Sequence, residues 1–218
     1  MSKQCAMAAE RTRPRVASVE HDVGHMAGRV ILRRFDPAHD SYEQLTTMLH
    51  RAFARLGMMG LNCTCVAQSR DVTQQRAQAG DCFVIVCGAQ VVGTMTLYGR
   101  DDESACKHYR SRRVATIRQL AVDPAWHNHG IGKAQLAFAE HWAATHGYDE
   151  LALDTPYPAA HLVAFYRANG FRLVDKMRFA GKVYDSAILS KATVVARTFS
   201  AWTHRVILPG AHFVRIVA

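Results

Sequence analysis

Apolar positions along the chain change period several times, and each change marks an element. Arg29-Val30-Ile31-Leu32-Arg33-Arg34-Phe35 is rich in β-branched residues and predicts a first strand, broken by Asp36-Pro37. Leu45, Met48, Leu49, Ala52 and Phe53 then recur at steps of three and four, one apolar helical face running to about Leu56, with Asp40 or Ser41 as its cap. Gly57–Asn62 reads as a loop whose methionines, Met58 and Met59, either line a binding surface or fill the core, the more common fate. A second helix is expected over Asp71–Ala79, ended by Gly80.

Asp81–Cys87 and Val91–Tyr98 are two apolar runs joined by Gly88-Ala89-Gln90, a hairpin signature. Residues 99–113 are polar and charged and read as an exposed connection. Val114–Val122 is the next strand, stopped by Asp123-Pro124 because proline cannot donate to a ladder. A helix then runs from Gly130 to His146, with Ile131, Ala134, Phe138 and Trp142 on one face and Gly147 as its stop. Glu150–Thr155 returns as a strand, so strand, helix and strand make a right-handed parallel crossover. Pro156-Tyr157-Pro158 opens a short helix with Leu162, Phe165 and Tyr166 on one face. Phe171–Asp175 and Val183–Leu189 make a last hairpin around Gly181. The sum is a mixed α/β sheet with one central parallel pair and antiparallel strands elsewhere. Residues 29–191 form the expected domain, 1–28 a poorly ordered N-terminal tail, and 192–218 a C-terminal extension without sustained periodicity.

Composition adds little to that picture and removes several function classes. With 218 residues, 49% hydrophobic and 21% charged, the chain suits one domain with a sizeable core. It has no apolar run of the ~18 residues a membrane helix needs and no signal-peptide core, so a cytoplasmic location is expected and a membrane partner is not. The net charge of +9 suits a phosphate-rich ligand. Basic and aromatic residues do not interleave, so nucleic acid is not expected. The six cysteines read as free thiols. Cys63-Thr64-Cys65 is not zinc spacing and has no second pair, so no metal is expected.

Candidate chemistry gathers at His127-Asn128-His129-Gly130-Ile131-Gly132-Lys133, between the strand and the long helix. The first amides of a helix lack internal partners and the helix dipole favours an anion there. The two glycines leave room for a phosphate, and Lys133, His127 and His129 add positive charge. For a lone G-x-G, a structural turn that needs glycine is the better reading. A dinucleotide fingerprint needs a third glycine where Gln135 stands, and a nucleotide-kinase loop is absent.

Two motifs together carry a resemblance. His127–Gly132 after Leu120-Ala121-Val122-Asp123-Pro124, and Phe165-Tyr166-Arg167-Ala168-Asn169-Gly170-Phe171 downstream, resemble the GNAT superfamily of acetyl-CoA-dependent N-acetyltransferases. The resemblance implies a mostly antiparallel twisted sheet whose central parallel pair splays apart, flanked by helices. It implies that the pantetheine arm of acetyl-CoA bonds to the backbone of Leu120, Ala121 and Val122. The pyrophosphate would sit on the loop of His127, Asn128, His129, Gly130, Ile131, Gly132 and Lys133. His127 replaces the usual Arg or Gln, which makes that contact sensitive to pH. His161 stands where the family often has an Asn facing the cofactor arm. Tyr166 matches the general acid, and the Val122 backbone amide is the expected oxyanion donor. The glutamate that many members use as general base is replaced by Thr116. Asp154 and water relays are alternatives, and Asp154 is equally readable as a helix-capping residue. The implied activity is acetyl transfer to a primary amine of a small molecule or peptide, by a monomer or homodimer. The alternative is a non-catalytic acyl-CoA-binding regulatory module. The acceptor contacts are expected in Gly57–Asn62, Ser104–Arg113 or the tip at Ala180–Lys182.

Overall fold

A computed structural model of the chain describes residues 18–22, 29–194 and 212–217. Among them, β1 (Ser18–Asp22), β2 (Arg29–Arg34), β3 (Asp81–Cys87), β4 (Gln90–Tyr98), β5 (Val114–Val122), β6 (Glu150–Pro156), β7 (Arg172–Met177), β8 (Ser186–Ala192) and β9 (His212–Val217) form one sheet. Its order is β7-β8-β6-β5-β4-β3-β2-β1-β9. The expected mixed sheet is present: β5 and β6 run parallel, and every other neighbouring pair is antiparallel. The helices are α1 (Tyr42–Met58), α2 (Thr64–Ala67), α3 (Arg70–Gln78), α4 (Ile131–Thr145) and α5 (Ala160–Ala168). None is long and apolar enough to cross a membrane.

The apolar run of β3 follows from burial on both faces. Cys82, Val84 and Val86 pack with Leu45, Met48 and Leu49 of α1. Phe83 and Ile85 alternate to the other face, against Leu136, Phe138 and Trp142 of α4. Ser41 starts α1 by accepting from the Gln44 amide at 3.4 Å, and Ser69 starts α3 by accepting from Val72 at 3.3 Å.

Several expectations need correcting. Met58 and Met59 are not core residues: α1 extends past its last buried residue, Leu56, and leaves them 82% and 43% exposed. The short helix α2 follows the loop and has no counterpart in the sequence reading. The last strand starts at Ser186 rather than Val183, because Asp185 pairs with Lys176 and Arg178 across a wider loop. Residues 99–113 are not simply an exposed connection. A 3₁₀ turn at Lys107–Arg110 buries Cys106 and Tyr109, while the charged neighbours of Tyr109 face outward. Within the segments read as tails, Ser18–Asp22 and His212–Val217 pair with each other as strands, and β1 pairs with β2. The rest of 1–28, and residues 195–211 and 218, lie outside the described residues.

Candidate active site

The site begins with a defect in β5. Gln119 and Leu120 together oppose Met95 of β4, because the register steps by one residue between Thr94↔Ala121 and Thr96↔Arg118. Gln119 takes φ +55°, a left-handed value uncommon outside glycine. β5 bends there. It pairs with β6 only from Val114↔Glu150 to Thr116↔Ala152, whereas β6 stays paired with β8 along its whole length. Beyond Thr116 the two parallel strands part.

Gln135 of α4 secures the bend. Its amide nitrogen donates to the Thr94 carbonyl at 2.8 Å and the Ala121 carbonyl at 3.2 Å, one on each strand beside the bulge. Gly93 makes room for this close packing: a Cβ there would lie 3.1 Å from the Ala121 carbonyl oxygen.

The parting opens into a cleft of about 1070 Å³. Leu120, Ala121 and Val122 line one side, and Leu153, Asp154 and Thr155 of β6 the other. The Asp123 amide bonds to Val92 of β4 at 2.8 Å. Since successive strand amides point to opposite sides, the Val122 amide points into the gap.

At the outer end, the chain turns sharply into α4. Asp123 accepts from the Ala125 amide and from Arg51 of α1, which anchors the turn at Pro124–Trp126 to the opposite face of the sheet. Asn128 and Gly130 have φ +65° and +78°, and α4 starts at Ile131 with no side-chain cap on its free amides. His127 folds back to the Val122 carbonyl at 3.1 Å. His127, Asn128, Gly130, Ile131, Gly132 and Lys133 all line the cleft. His129 does not; its ring nitrogen meets the His127 carbonyl at 2.8 Å. The two glycines have different reasons to be there. Gly130 supplies the left-handed turn, while a Cβ at Gly132 would lie 3.2 Å from the Phe165 ring. His161 stands exposed on the rim, its pKa lowered by partial desolvation and by Arg55.

The inner end holds the titratable groups. Asp154 points into the cleft, where solvent reaches it, yet protein surrounds it closely enough for desolvation to push its pKa up. Its position inside β6 excludes the helix-capping reading. Tyr109, fully buried in the turn at Lys107–Arg110, donates to Asp154 Oδ1 at 3.3 Å. The Tyr166 ring lies edge-on to Phe165 and Phe171, and its hydroxyl pKa is raised far beyond the usual phenol range by burial and by the Asp154 charge. Thr116 is buried behind the point of parting, and its hydroxyl has no partner among the described residues. The Tyr184 hydroxyl donates to Cys63 Sγ at 3.3 Å beside the same cavity. Burial raises the pKa values of Cys63 and Cys65, which keeps both as thiols. The five described cysteines are free, and no cluster of three His, Cys, Asp or Glu residues suited to a metal occurs among the described residues.

Comparison with known families matches residues 61–171 to the Acetyltransferase (GNAT) family, just over half the chain and spanning both motifs. The chain belongs to the GNAT acetyltransferase family. Solved structures share its fold at low identity. The ribosomal-protein-S18-alanine N-acetyltransferase of Escherichia coli is 14% identical with a TM-score of 0.55, covering 77% of this chain and 96% of that one. Ard1 from Thermoplasma volcanium is 14% identical with a TM-score of 0.59, covering 76% and 99%. A GNAT acetyltransferase from Elizabethkingia anophelis, solved with acetyl-CoA bound, is 17% identical with a TM-score of 0.53, covering 75% and 97%. A search of curated protein sequences finds no match.

Gln135 and Gln119 are site residues that sequence reasoning missed, and Tyr109 entered it only inside the candidate acceptor segment Ser104–Arg113. Gln135 entered it only as the absence of a glycine. The signal for Tyr109 was a single aromatic within a charged stretch, too little to separate it from a surface tyrosine.

Proposed function

We propose that the chain is an acetyl-CoA-dependent N-acetyltransferase acting by direct attack of an amine. The observation that carries the reading is the gap between β5 and β6, which runs unbroken from the free amides of α4 to Asp154 and Tyr166. The residues fit the co-substrate. The head of α4 offers unpartnered amides at a left-handed glycine for the pyrophosphate, with Lys133 beside them. Leu120, Ala121 and Val122 offer strand backbone for the pantetheine arm. His127 and Asn128 border that loop, and Ile131 and Gly132 carry the first helical amides. His129 is left with a supporting part in the turn, and His161 flanks the arm from the rim.

In the transfer, the amine nitrogen bonds to the acetyl carbon, the carbon–sulfur bond breaks, the amine loses a proton and the thiolate gains one. Asp154 takes the amine proton; a carboxylate with a raised pKa is a better base than an ordinary aspartate. The Val122 amide donates to the carbonyl oxygen as negative charge develops on it. Tyr166 stays protonated across the working pH range, because burial disfavours the phenolate, and it donates to the sulfur as the bond breaks. Thr116 cannot act as a base, and this substitution is what favours the second reading, a non-catalytic acyl-CoA-binding module.

Calorimetry with acetyl-CoA, followed by release of free thiol with a panel of primary amines, tests both. Binding with amine-dependent thiol release supports the enzyme. Binding without transfer to any amine leaves the module.

A further inference from the structure

We propose that the acceptor is a small amine carrying an anionic group, a carboxylate or a phosphate, a few bonds from the amine. Arg76 of α3 and Lys182 of the β7–β8 loop hold the anion while Asp154 faces the amine. The inference rests on the acetyltransferase reading of the cleft and names the class of its second substrate.

The two cations come from different elements, α3 and the β7–β8 loop, and both bond to the one-turn helix α2 or its flanking residues. Arg76 Nη1 donates to Gln68 Oε1 at 2.8 Å and to Cys65 Sγ at 3.4 Å. Lys182 Nζ donates to the Asn62 carbonyl at 2.9 Å and to Thr64 Oγ1 at 3.0 Å. Every one of these partners is neutral. Both cations are half-buried and both line the cleft. Neither has a carboxylate within ion-pair distance among the described residues, although most of this chain's described arginines do.

The contrast with Arg118 is informative. Arg118 also lines the inner cleft, but Asp101 holds it at 2.6 Å and its guanidinium lies 5.0 Å from the centre of the Tyr98 ring. Its charge is already answered; those of Arg76 and Lys182 are not. Neutral anchors fix both side chains in place, which lowers the ordering cost when an anion arrives. The Arg76 fork, used at one nitrogen only, suits an oxyanion with two oxygens. Arg76, Lys182 and Arg118 all act on Asp154 through their charge, so the carboxylate and the two unanswered cations share one field. A zwitterionic acceptor matches that arrangement end to end. A diamine would set its second charge against Arg76 and Lys182, and a peptide N-terminus would leave both cations without an anion.

Matched pairs read the anion contact directly. The purified full-length chain is given acetyl-CoA with free amino acids and their carboxamides, with aminoalkyl phosphates and the parent amino alcohols, and with diamines. The expected kcat/KM is at least tenfold higher for the anionic member of the best pair, and the two anion types show which is used. Equal or better use of carboxamides, amino alcohols or diamines overturns the proposal while the acetyltransferase reading stands. If no amine is acetylated, that reading fails, and calorimetry of the CoA-loaded protein with the same pairs still decides this one. At least tenfold tighter binding of an anionic member supports it; equal binding, or none, overturns it. Arg76→Gln and Lys182→Gln should each cut the anionic preference at least tenfold with KM for acetyl-CoA within twofold, and Lys182→Arg should restore most of it. Equal losses for both members of a pair would assign the two cations a structural part only and overturn the proposal.

Discussion

The Tyr109 hydroxyl donates to Asp154 Oδ1 at 3.3 Å at the inner end of the cleft, joining a buried turn of the β4–β5 connection to the strand that parts from β5. The bond favours the charged carboxylate, and burial opposes it more strongly, so the pKa of Asp154 lies above the ordinary aspartate value. If Asp154 is the base, kcat/KM falls on the acid side with an apparent pKa above about 3.9. Tyr109→Phe removes a donor to the charged form and should move that limb to higher pH. Asp154→Asn should lower kcat by roughly 10²–10⁴. A full pH profile of the three proteins checks this, and an unmoved acid limb in Tyr109→Phe would separate the limb from Asp154.

The same shift has a consequence for stability. A group whose pKa rises on folding contributes stability below its unfolded pKa, and that contribution is lost as pH rises through the folded value. At neutral pH the Asp154 carboxylate therefore weighs against the fold. Asp154→Asn, which keeps an oxygen for Tyr109, should raise the melting temperature at pH 7, with the gain fading as pH falls through the raised folded pKa and gone below about pH 4. Melting curves of both proteins at three pH values would show it. A gain that persists unchanged at low pH would point to a cause other than the charge.

Tyr166→Phe keeps the ring between Phe165 and Phe171 and removes the hydroxyl. Acetyl-CoA affinity should stay within a few fold while kcat falls by roughly 10²–10⁴. The loss should shrink with a thioester whose thiolate is less basic, because that leaving group needs its proton less. Near-normal turnover of the natural thioester would make Tyr166 a packing residue.

The crossover and the glycine turn were legible because each rests on local chemistry. Val114–Val122 and Glu150–Thr155 are apolar runs around an amphipathic helix, and Asp123-Pro124 and Gly147 punctuate them. The bulge was not legible. Nothing in Gln119 signals φ +55°; the carbonyls of the two strands beside it are bridged by Gln135, sixteen residues away in sequence. Tyr109 was hidden for a similar reason, since its burial comes not only from nearby Val114 but from Ala152 and Ile188, on strands distant in sequence. Arg76 and Lys182 stand 106 positions apart and meet only through α2, a single turn too short to show a period. Local rules located the glycine-turn end of the cleft; long-range packing made the end where the proposed acceptor would sit.

Gly130 and Gly147 form a natural pair for testing the loop. Their φ values are +78° and +80°, so any other residue bears comparable backbone strain, about 1–2 kcal/mol, at either site. Gly147 lies beyond the C-terminal end of α4, with nothing within 4 Å of an added Cβ. Gly130→Asp and Gly147→Asp should lose similar stability, but only the first should weaken acetyl-CoA binding by tenfold or more, since its carboxylate would face the pyrophosphate. Calorimetry on the two folded variants checks this; equal affinities would remove the phosphate from the head of α4.

Gln135 tests whether the cleft depends on the bulge itself. Leucine has nearly the same reach but offers no donor, so Gln135→Leu strips the Thr94 and Ala121 carbonyls of the side-chain amide that now serves them. A buried acceptor left unpaired costs about 1–3 kcal/mol. The wild-type side chain is itself imperfectly satisfied, because Gln135 Oε1 has no partner among the described residues, and losing that oxygen gives part of the cost back. The expected net destabilisation is therefore about 1–3 kcal/mol rather than twice that. Without the bracket, β5 is free to straighten towards β6, which would narrow the gap proposed to receive the thioester arm. Acetyl-CoA affinity should then fall together with stability, unlike the Gly147 variant, where stability alone falls. Amide exchange at Leu120–Val122 should also quicken. A variant that melts lower but binds acetyl-CoA normally would mean that Gln119 and Leu120 hold the bulge without help from α4.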